Sequence, residues 1–284
     1  MLKKTSIVGI CLVVGLSIFP EKIVQAGLFD KLKIPKIDIE EVIESQVERA
    51  TITKRKVSLD GTYYAGNIEK KFHRKNGVVE ENTFIIDEPS LVVLHGINNG
   101  YNAAMNFIFY DEDSNKVSDK IRIGVNETKD CTIILKPGKY KLKVEFFSLD
   151  KNGFCDYKFK LNKTLINQNA PVNINSTNNA YKIELNESIT NFFQSIGEWG
   201  QDRKSQYYTF YLKTITNVSV NAKKDNIGSC SISLLDADER IIGRKMYFNQ
   251  DNQIFKEYTL NPGVYYLRID RESMLGSIYS ITLN

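Results

Sequence analysis

A chain of 284 residues is long enough for about two domains of ordinary size. Its hydrophobic content of 42% and charged content of 25% are those of a globular protein and exclude an intrinsically disordered one. The formal charge is +4, and Lys3, Lys4 and Lys22 against Glu21 supply half of it before the mature chain begins, so the balance argues for no nucleic-acid partner.

The first 26 residues read as an export signal. Lys3 and Lys4 form a positive start, "SIVGICLVVGLSIF" is an apolar run too short to span a bilayer comfortably, and "VQA" offers small-residue cleavage before Gly27. The competing reading is a membrane anchor. Cys11 follows Ile10 rather than a small residue, which argues against lipid attachment. The expectation is a secreted, extracellular protein of bacterial style, with no stable membrane insertion after cleavage.

Residues 27–50 then suggest a short amphipathic helix. Asp38 and Glu41 have capping spacing, and Ile39, Val42, Ile43 and Val47 share one helical face. Its polar side is rich in Glu, which suits packing or a partner protein better than a membrane surface.

From Thr51 the periodicity changes to two. "KVSLDG" and "EENTFIIDE" have strand length and pattern. In "KYKLKVE", Tyr140, Leu142 and Val144 alternate with Lys139, Lys141, Lys143 and Glu145, as in a half-buried antiparallel strand. Pro137-Gly138 before it is a turn signal.

These blocks recur. Pro262-Gly263 lies 125 residues after Pro137-Gly138, and Asp236 lies 125 after Asp111. Thr209-Phe210 follows Thr83-Phe84 by 126, and "KIELNE" echoes "KVSLDG" at the same offset. "DYKFKLN" and "IYSITLN" match at 122. The same order of blocks with small drifts predicts two all-β units, residues 51–163 and 181–284. The Asn-, Thr- and Ser-rich residues 164–180 read as a linker between them. Short strands separated by regular turn signals predict jelly-roll-like antiparallel β-sandwiches.

Three cysteines remain after the signal: Cys131, Cys155 and Cys230. An odd number leaves one unpaired. Cys131 and Cys155 can bridge if adjacent strands carry them; otherwise all three are small buried residues.

The block order resembles the bacterial pre-peptidase C-terminal domain family, including the collagen-binding domains of clostridial collagenases. Tyr208, Phe210 and Leu212 fit its first motif, and Asp236 and Asp238 its turn. Leu260, Pro262, Gly263, Tyr265 and Tyr266 fit its third motif, and Tyr279 and Leu283 its last. The first unit fits less fully, through Phe84, Asp111, Asp113, Leu135, Pro137, Gly138, Tyr140, Tyr157 and Leu161. The resemblance implies a jelly-roll sandwich that accompanies secreted proteases, although no peptidase domain is present in this chain. It also implies calcium in many members. Here "GQDRKSQYY" offers Asp202 as its only carboxylate, against the several charged oxygens a hard cation needs, so no cofactor and no metal site are expected.

Catalytic chemistry finds little footing. His73 and His95 have no G-x-S-x-G, HExxH or P-loop context, and the paired Asp111/Asp113 and Asp236/Asp238 suit turn chemistry. No enzyme activity is expected. Binding fits better. If Tyr208, Phe210, Leu212, Tyr265, Leu267 and Ile269 point inward, then Tyr207, Tyr211, Tyr266 and Arg268 share the outward face. Tyr and Arg are the types that carry binding surfaces. Lys139, Lys141 and Lys143 hold the corresponding face of the first unit. The expectation is a non-catalytic binder of an extracellular matrix protein, glycan or cell-surface polymer. The alternative is a protease accessory, inhibitor or toxin component acting through the N-terminal helix and first unit. Oligomeric state is left open.

Overall fold

The computed structural model describes residues 52–69, 77–198, 204–225, 227–248 and 250–284, all within the compact unit Ala50–Asn284. The expected signal and helix, along with His73 and Asp202, lie outside the described residues.

The chain forms strands β1 (Thr53–Lys56), β2 (Tyr64–Glu69), β3 (Gly77–Ile86), β4 (Ser90–Asn98), β5 (Ala103–Asp111), β6 (Ile121–Ile123), β7 (Glu127–Leu135), β8 (Gly138–Ser148) and β9 (Phe154–Leu165). A second set follows: β10 (Tyr181–Lys182), β11 (Ser188–Phe193), β12 (Ser205–Leu212), β13 (Thr216–Lys224), β14 (Cys230–Leu235), β15 (Met246–Tyr247), β16 (Gln253–Leu260), β17 (Gly263–Arg271) and β18 (Ser277–Leu283). Among the described residues the helical content is one 3-10 turn, Thr177–Asn179.

Two β-sandwiches result, with the same strand order. The five-stranded sheets run β1-β3-β8-β5-β6 and β10-β12-β17-β14-β15. The four-stranded sheets run β2-β9-β4-β7 and β11-β18-β13-β16. Each pair of sheets encloses its own apolar core, one around Phe107, Tyr140, Leu142 and Phe159, the other around Tyr208, Leu234, Leu267 and Ile281. Alternation explains this directly: on β8 and β17 the inward residues are buried and their neighbours face solvent or the sheet's outer side.

The Pro-Gly turns have a common mechanism. Gly138 and Gly263 adopt φ of 157° and 155°, a region residues with a Cβ avoid. Two residues on, Tyr140 and Tyr265 stack on Phe84 and Phe210, with ring centroids 5.6 and 5.5 Å apart. Their hydroxyls then donate to the carbonyls of Lys136 and Asn261 at 2.9 and 2.8 Å. One tyrosine thus fills the core and closes the turn that leads to it. The aspartate turns also match. Asp111 Oδ1 accepts from the Asn115 amide at 2.8 Å, and Asp236 Oδ1 from the Asp238 and Arg240 amides at 3.0 and 2.8 Å.

The structure departs from simple alternation at the start of each sandwich. "KVSLDG" is not a strand of its own. The strand there is β1, which ends at Lys56 and pairs in parallel with β3, as β10 pairs in parallel with β12. Val57 and Ile183 follow these short edges, are buried, and donate their amides to the Thr83 and Thr209 carbonyls at 2.9 Å. Their side chains are buried where the chain passes from one sheet to the other.

Residues 164–180 are partly built into the fold. β9 runs on to Leu165, and Ala170 and Ile174 enter the second core. A small apolar cluster joins the sandwiches through Ile134, Ile166 and Phe192. Ser195 clamps it: its amide donates to the Ile134 carbonyl at 2.9 Å, and its hydroxyl accepts from the Ile134 amide at 3.0 Å. Gly197 then donates to the Lys116 carbonyl at 2.9 Å, so close that an added Cβ would stand 2.3 Å from the Lys116 Cβ.

Cys131, Cys155 and Cys230 are free. Cys131 is on β7 and Cys155 on β9, with β4 lying between them, so the adjacency a bridge requires is not met. Burial pushes the Cys155 and Cys230 thiols up to about 12.

Candidate functional site

β12 and β17 are neighbours in the second five-stranded sheet. Their register sets Tyr207 opposite Arg268, Thr209 opposite Tyr266 and Tyr211 opposite Val264. Tyr208, Phe210, Leu212, Tyr265, Leu267 and Ile269 are buried in the core. Tyr207, Tyr211, Tyr266 and Arg268 therefore share the other face. Tyr207 and Tyr211 stand about 14 Å apart along β12 at ordinary strand rise, with Tyr266 one strand over between their levels.

Exposure grades across this face. Tyr211 is 60% exposed and Val264 38%, while Tyr207 and Tyr266 are half-buried. Tyr207 is steadied from behind, its amide donating to the Ile174 carbonyl at 2.7 Å.

Arg268 is a paired cation rather than a free one. Its Nε lies 3.2 Å from Asp270 Oδ1, close enough for an ion pair but without hydrogen-bond alignment. Asp270 also accepts from Ser205 Oγ at 2.6 Å and meets Lys245 at 3.1 Å. Lys245 in turn binds Glu272 at 2.6 Å. Burial alone would lower the Lys245 ammonium, but the two carboxylates hold it above its usual range. Burial likewise opposes the Glu272 charge, and Lys245 and Ser231 overcome it and hold that carboxyl below its usual range. The tyrosines are thus bordered by a self-neutralised network, which suits an uncharged or weakly charged ligand surface.

The sequence reading missed Tyr247. It pairs with Ser231 on the two-residue strand β15, on the same outer side, and is 65% exposed. Two residues carry no detectable period, so only the fold could place it.

The first sandwich fills the same register positions differently. Glu81 faces Lys143, Thr83 faces Lys141 and Ile85 faces Lys139. Lys143 lies 3.7 Å from Glu81 and 4.8 Å from the centre of the Tyr110 ring.

His95 is on the outer side of β4, its Nδ1 2.5 Å from Asp130 Oδ1 on the neighbouring strand. Its ring also meets the edge of Tyr63, with ring centroids 6.1 Å apart. Among the described residues, no group of three or more His, Cys, Asp or Glu side chains is arranged to hold a metal ion. A surface depression of about 310 Å³ beside Arg122, Phe147 and Leu149 belongs to the first sandwich and contains none of the four predicted residues.

Fold and face together define an all-β chain of paired sandwiches with an aromatic outer sheet surface. No family model matches this chain, and no curated protein matches it. Solved structures do. The pre-peptidase C-terminal domain of collagenase from Bacillus anthracis is similar at 21% identity, over 37% of this chain and 94% of that one, with a TM-score of 0.30. Tripeptidyl peptidase 2 is similar at 8% identity, over 81% of this chain and 24% of that one, with a TM-score of 0.32. The tandem CBM22-1–CBM22-2 domain of Paenibacillus barcinonensis Xyn10C is similar at 8% identity, over 80% and 85%, with a TM-score of 0.23.

Proposed function

We propose that this chain is a secreted, non-catalytic binding protein made of two tandem modules of the pre-peptidase C-terminal type. It attaches to an extended extracellular polymer, whether matrix protein, glycan or another cell-surface polymer. The second sandwich is the binder, and the ligand lies along β12 and β17. The observation that carries this reading is the register of the two strands, which sets Tyr207, Tyr211 and Tyr266 on one outer face. Tyrosines supply large rigid contact area with a polar tip at little entropic cost. In the first sandwich Glu81, Ile85 and Lys141 take the places of Tyr207, Tyr211 and Tyr266, and Lys139 and Lys143 beside Lys141 make that face a solvated one.

The test is a retention assay on collagen, peptidoglycan and polysaccharide matrices. Replacing Tyr207, Tyr211 and Tyr266 together by Ala lowers retention at least roughly tenfold on the matrix that holds the wild type. The circular dichroism spectrum stays unchanged, because none of the three is part of the core. Undiminished retention by the triple variant refutes the proposal.

A further inference from the structure

The second sandwich has another outer face, on β11, β18, β13 and β16, and its chemistry is unlike that of its counterpart. One row crosses all four strands: Ser188 faces Thr282, Thr282 faces Asn221, and Asn221 faces Phe255. Ser280 and Ser219 flank this row on the same side. All six side chains are exposed or half-buried, and Phe255 is 65% exposed. None of the six carries a charge; the charged side chains on this side, Lys223 opposite Ser280 and Glu257 opposite Ser219, stand to either side of the row.

The same register positions in the first sandwich hold ions. Asp130, His95 and Lys160 replace Phe255, Asn221 and Thr282, and Lys158 replaces Ser280. Their surroundings are electrostatic: Lys158 and Lys160 lie 5.3 and 4.8 Å from the centre of the Tyr63 ring. The fold therefore accepts charge along this row, and the second sandwich carries its charges beside the row instead, with Lys223 and Glu257 where the first sandwich has Ile97 and Thr132.

Strand preference does not account for the neutral set. Thr and Phe favour strands, but Asn is depleted there, and Ser brings neither β-branching nor apolar area to the sheet. Amides and hydroxyls offer both donors and acceptors, as a sugar's hydroxyls require. A lone exposed ring at the edge supplies the flat apolar surface on which the C–H face of a pyranose stacks. Three inter-strand spacings, about 14 Å, separate Phe255 from Ser188, enough for an oligosaccharide rather than one sugar. An anionic ligand would find no cation within this row, and Lys223 on one side of it is matched by Glu257 on the other.

We infer that this sheet face binds an uncharged polysaccharide, with Phe255 stacking on a sugar ring and Asn221 and Thr282 hydrogen-bonding its hydroxyls. The site is separate from the tyrosine face and stands whether or not that face binds.

Affinity electrophoresis of the purified chain tests the inference, in native gels containing laminarin, hydroxyethylcellulose, glycogen or galactomannan, with heparin and hyaluronate as charged controls. Retardation is expected in at least one neutral gel. Phe255→Ala weakens it roughly tenfold. The double variant Asn221→His, Thr282→Lys abolishes it while folding normally, since the first sandwich carries those residue types at the matching positions. The tyrosine triple variant keeps full retardation, which separates this site from the other face. Lack of retardation in all four neutral gels, retardation confined to the charged gels, or retardation unmoved by both Phe255→Ala and the double variant overturns the inference.

Discussion

Glu80 offers the sharpest test of how the first sandwich is held together. Its side chain is completely buried, yet it is ionisable. Arg55 Nε lies 2.5 Å from Glu80 Oε1, and the Tyr157 hydroxyl donates to Oε2 at 2.5 Å. In the second sandwich Gln206 occupies the corresponding place and accepts from the Tyr279 hydroxyl. The same tyrosine is thus satisfied by a neutral amide. Removing one partner of a buried ion pair costs about 3–5 kcal/mol, whereas a neutral, well-packed replacement often costs nothing. Exposure decides which partner matters more: the Arg55 side chain is 29% exposed and can reach water, while that of Glu80 is 0% exposed. Glu80→Gln is therefore expected within about 1 kcal/mol of wild type at pH 8, and Arg55→Met is expected to cost about 3–5 kcal/mol, because it strands the carboxylate. Burial raises the Glu80 carboxyl above its usual value, and this outweighs Tyr157 and Arg55. The folded state thus holds its proton more tightly than the unfolded one. The resulting stabilisation is fully present below the unfolded carboxyl pKa and is lost as pH rises through the folded one. Urea unfolding followed by circular dichroism between pH 4 and 8 reads all of this. Glu80→Gln gains on wild type as pH rises, and the Arg55→Met deficit shrinks toward pH 4. The reasoning fails if Glu80→Gln loses more than about 3 kcal/mol at pH 8, or if its gap to wild type changes with pH in the opposite sense.

Other expectations follow from single contacts. Tyr140→Phe and Tyr265→Phe each remove one hydrogen bond to a turn carbonyl and leave the ring stacking intact, so each should cost about 1 kcal/mol in urea unfolding. Gly197→Ala drives a methyl into the Lys116 backbone and side chain; about 1–3 kcal/mol is expected, together with faster proteolysis between the sandwiches. Under denaturing, non-reducing conditions Cys131, Cys155 and Cys230 should all titrate with a thiol reagent, whereas a Cys131–Cys155 bridge would leave only Cys230 of the three.

The parts of this fold that sequence made legible are those written locally. Period-two alternation in "KYKLKVE" and "VYYLRID" placed Tyr140, Leu142, Tyr265 and Leu267 inside, where the structure has them. The same period put Tyr207, Tyr211, Tyr266 and Arg268 on one outer face, and the register bears out that geometry. It also puts Arg268 and Asp270 side by side, so their ion pair is legible in the same period. What sequence could not carry depends on contacts between distant residues. The parallel edge strands β1 and β10 pair with partners 27 residues further on, in segments too short to show a period. The Ser195 clamp on Ile134 spans 61 residues. The strand between Cys131 and Cys155 became visible only with the sheet order.

The two sandwiches share their strand order, their Pro-Gly-x-Tyr turns and their aspartate turns, because each depends on these for folding. Their outer faces answer to something else. A sheet face that has only to remain dissolved is well served by lysine, which resists edge and face association. The first sandwich follows that rule with Lys139, Lys141 and Lys143 on one face and Lys158 and Lys160 on the other. The second sandwich follows it only in part, keeping one cation, Arg268, beside Val264 and Tyr266 on one side and taking Ser280 and Thr282 on the other. Giving up lysine at these positions exposes apolar and hydrogen-bonding surface to other molecules. A fold that tolerates lysine at these positions does not require that loss, and the two ligand sites proposed above, both on the second sandwich, would account for it.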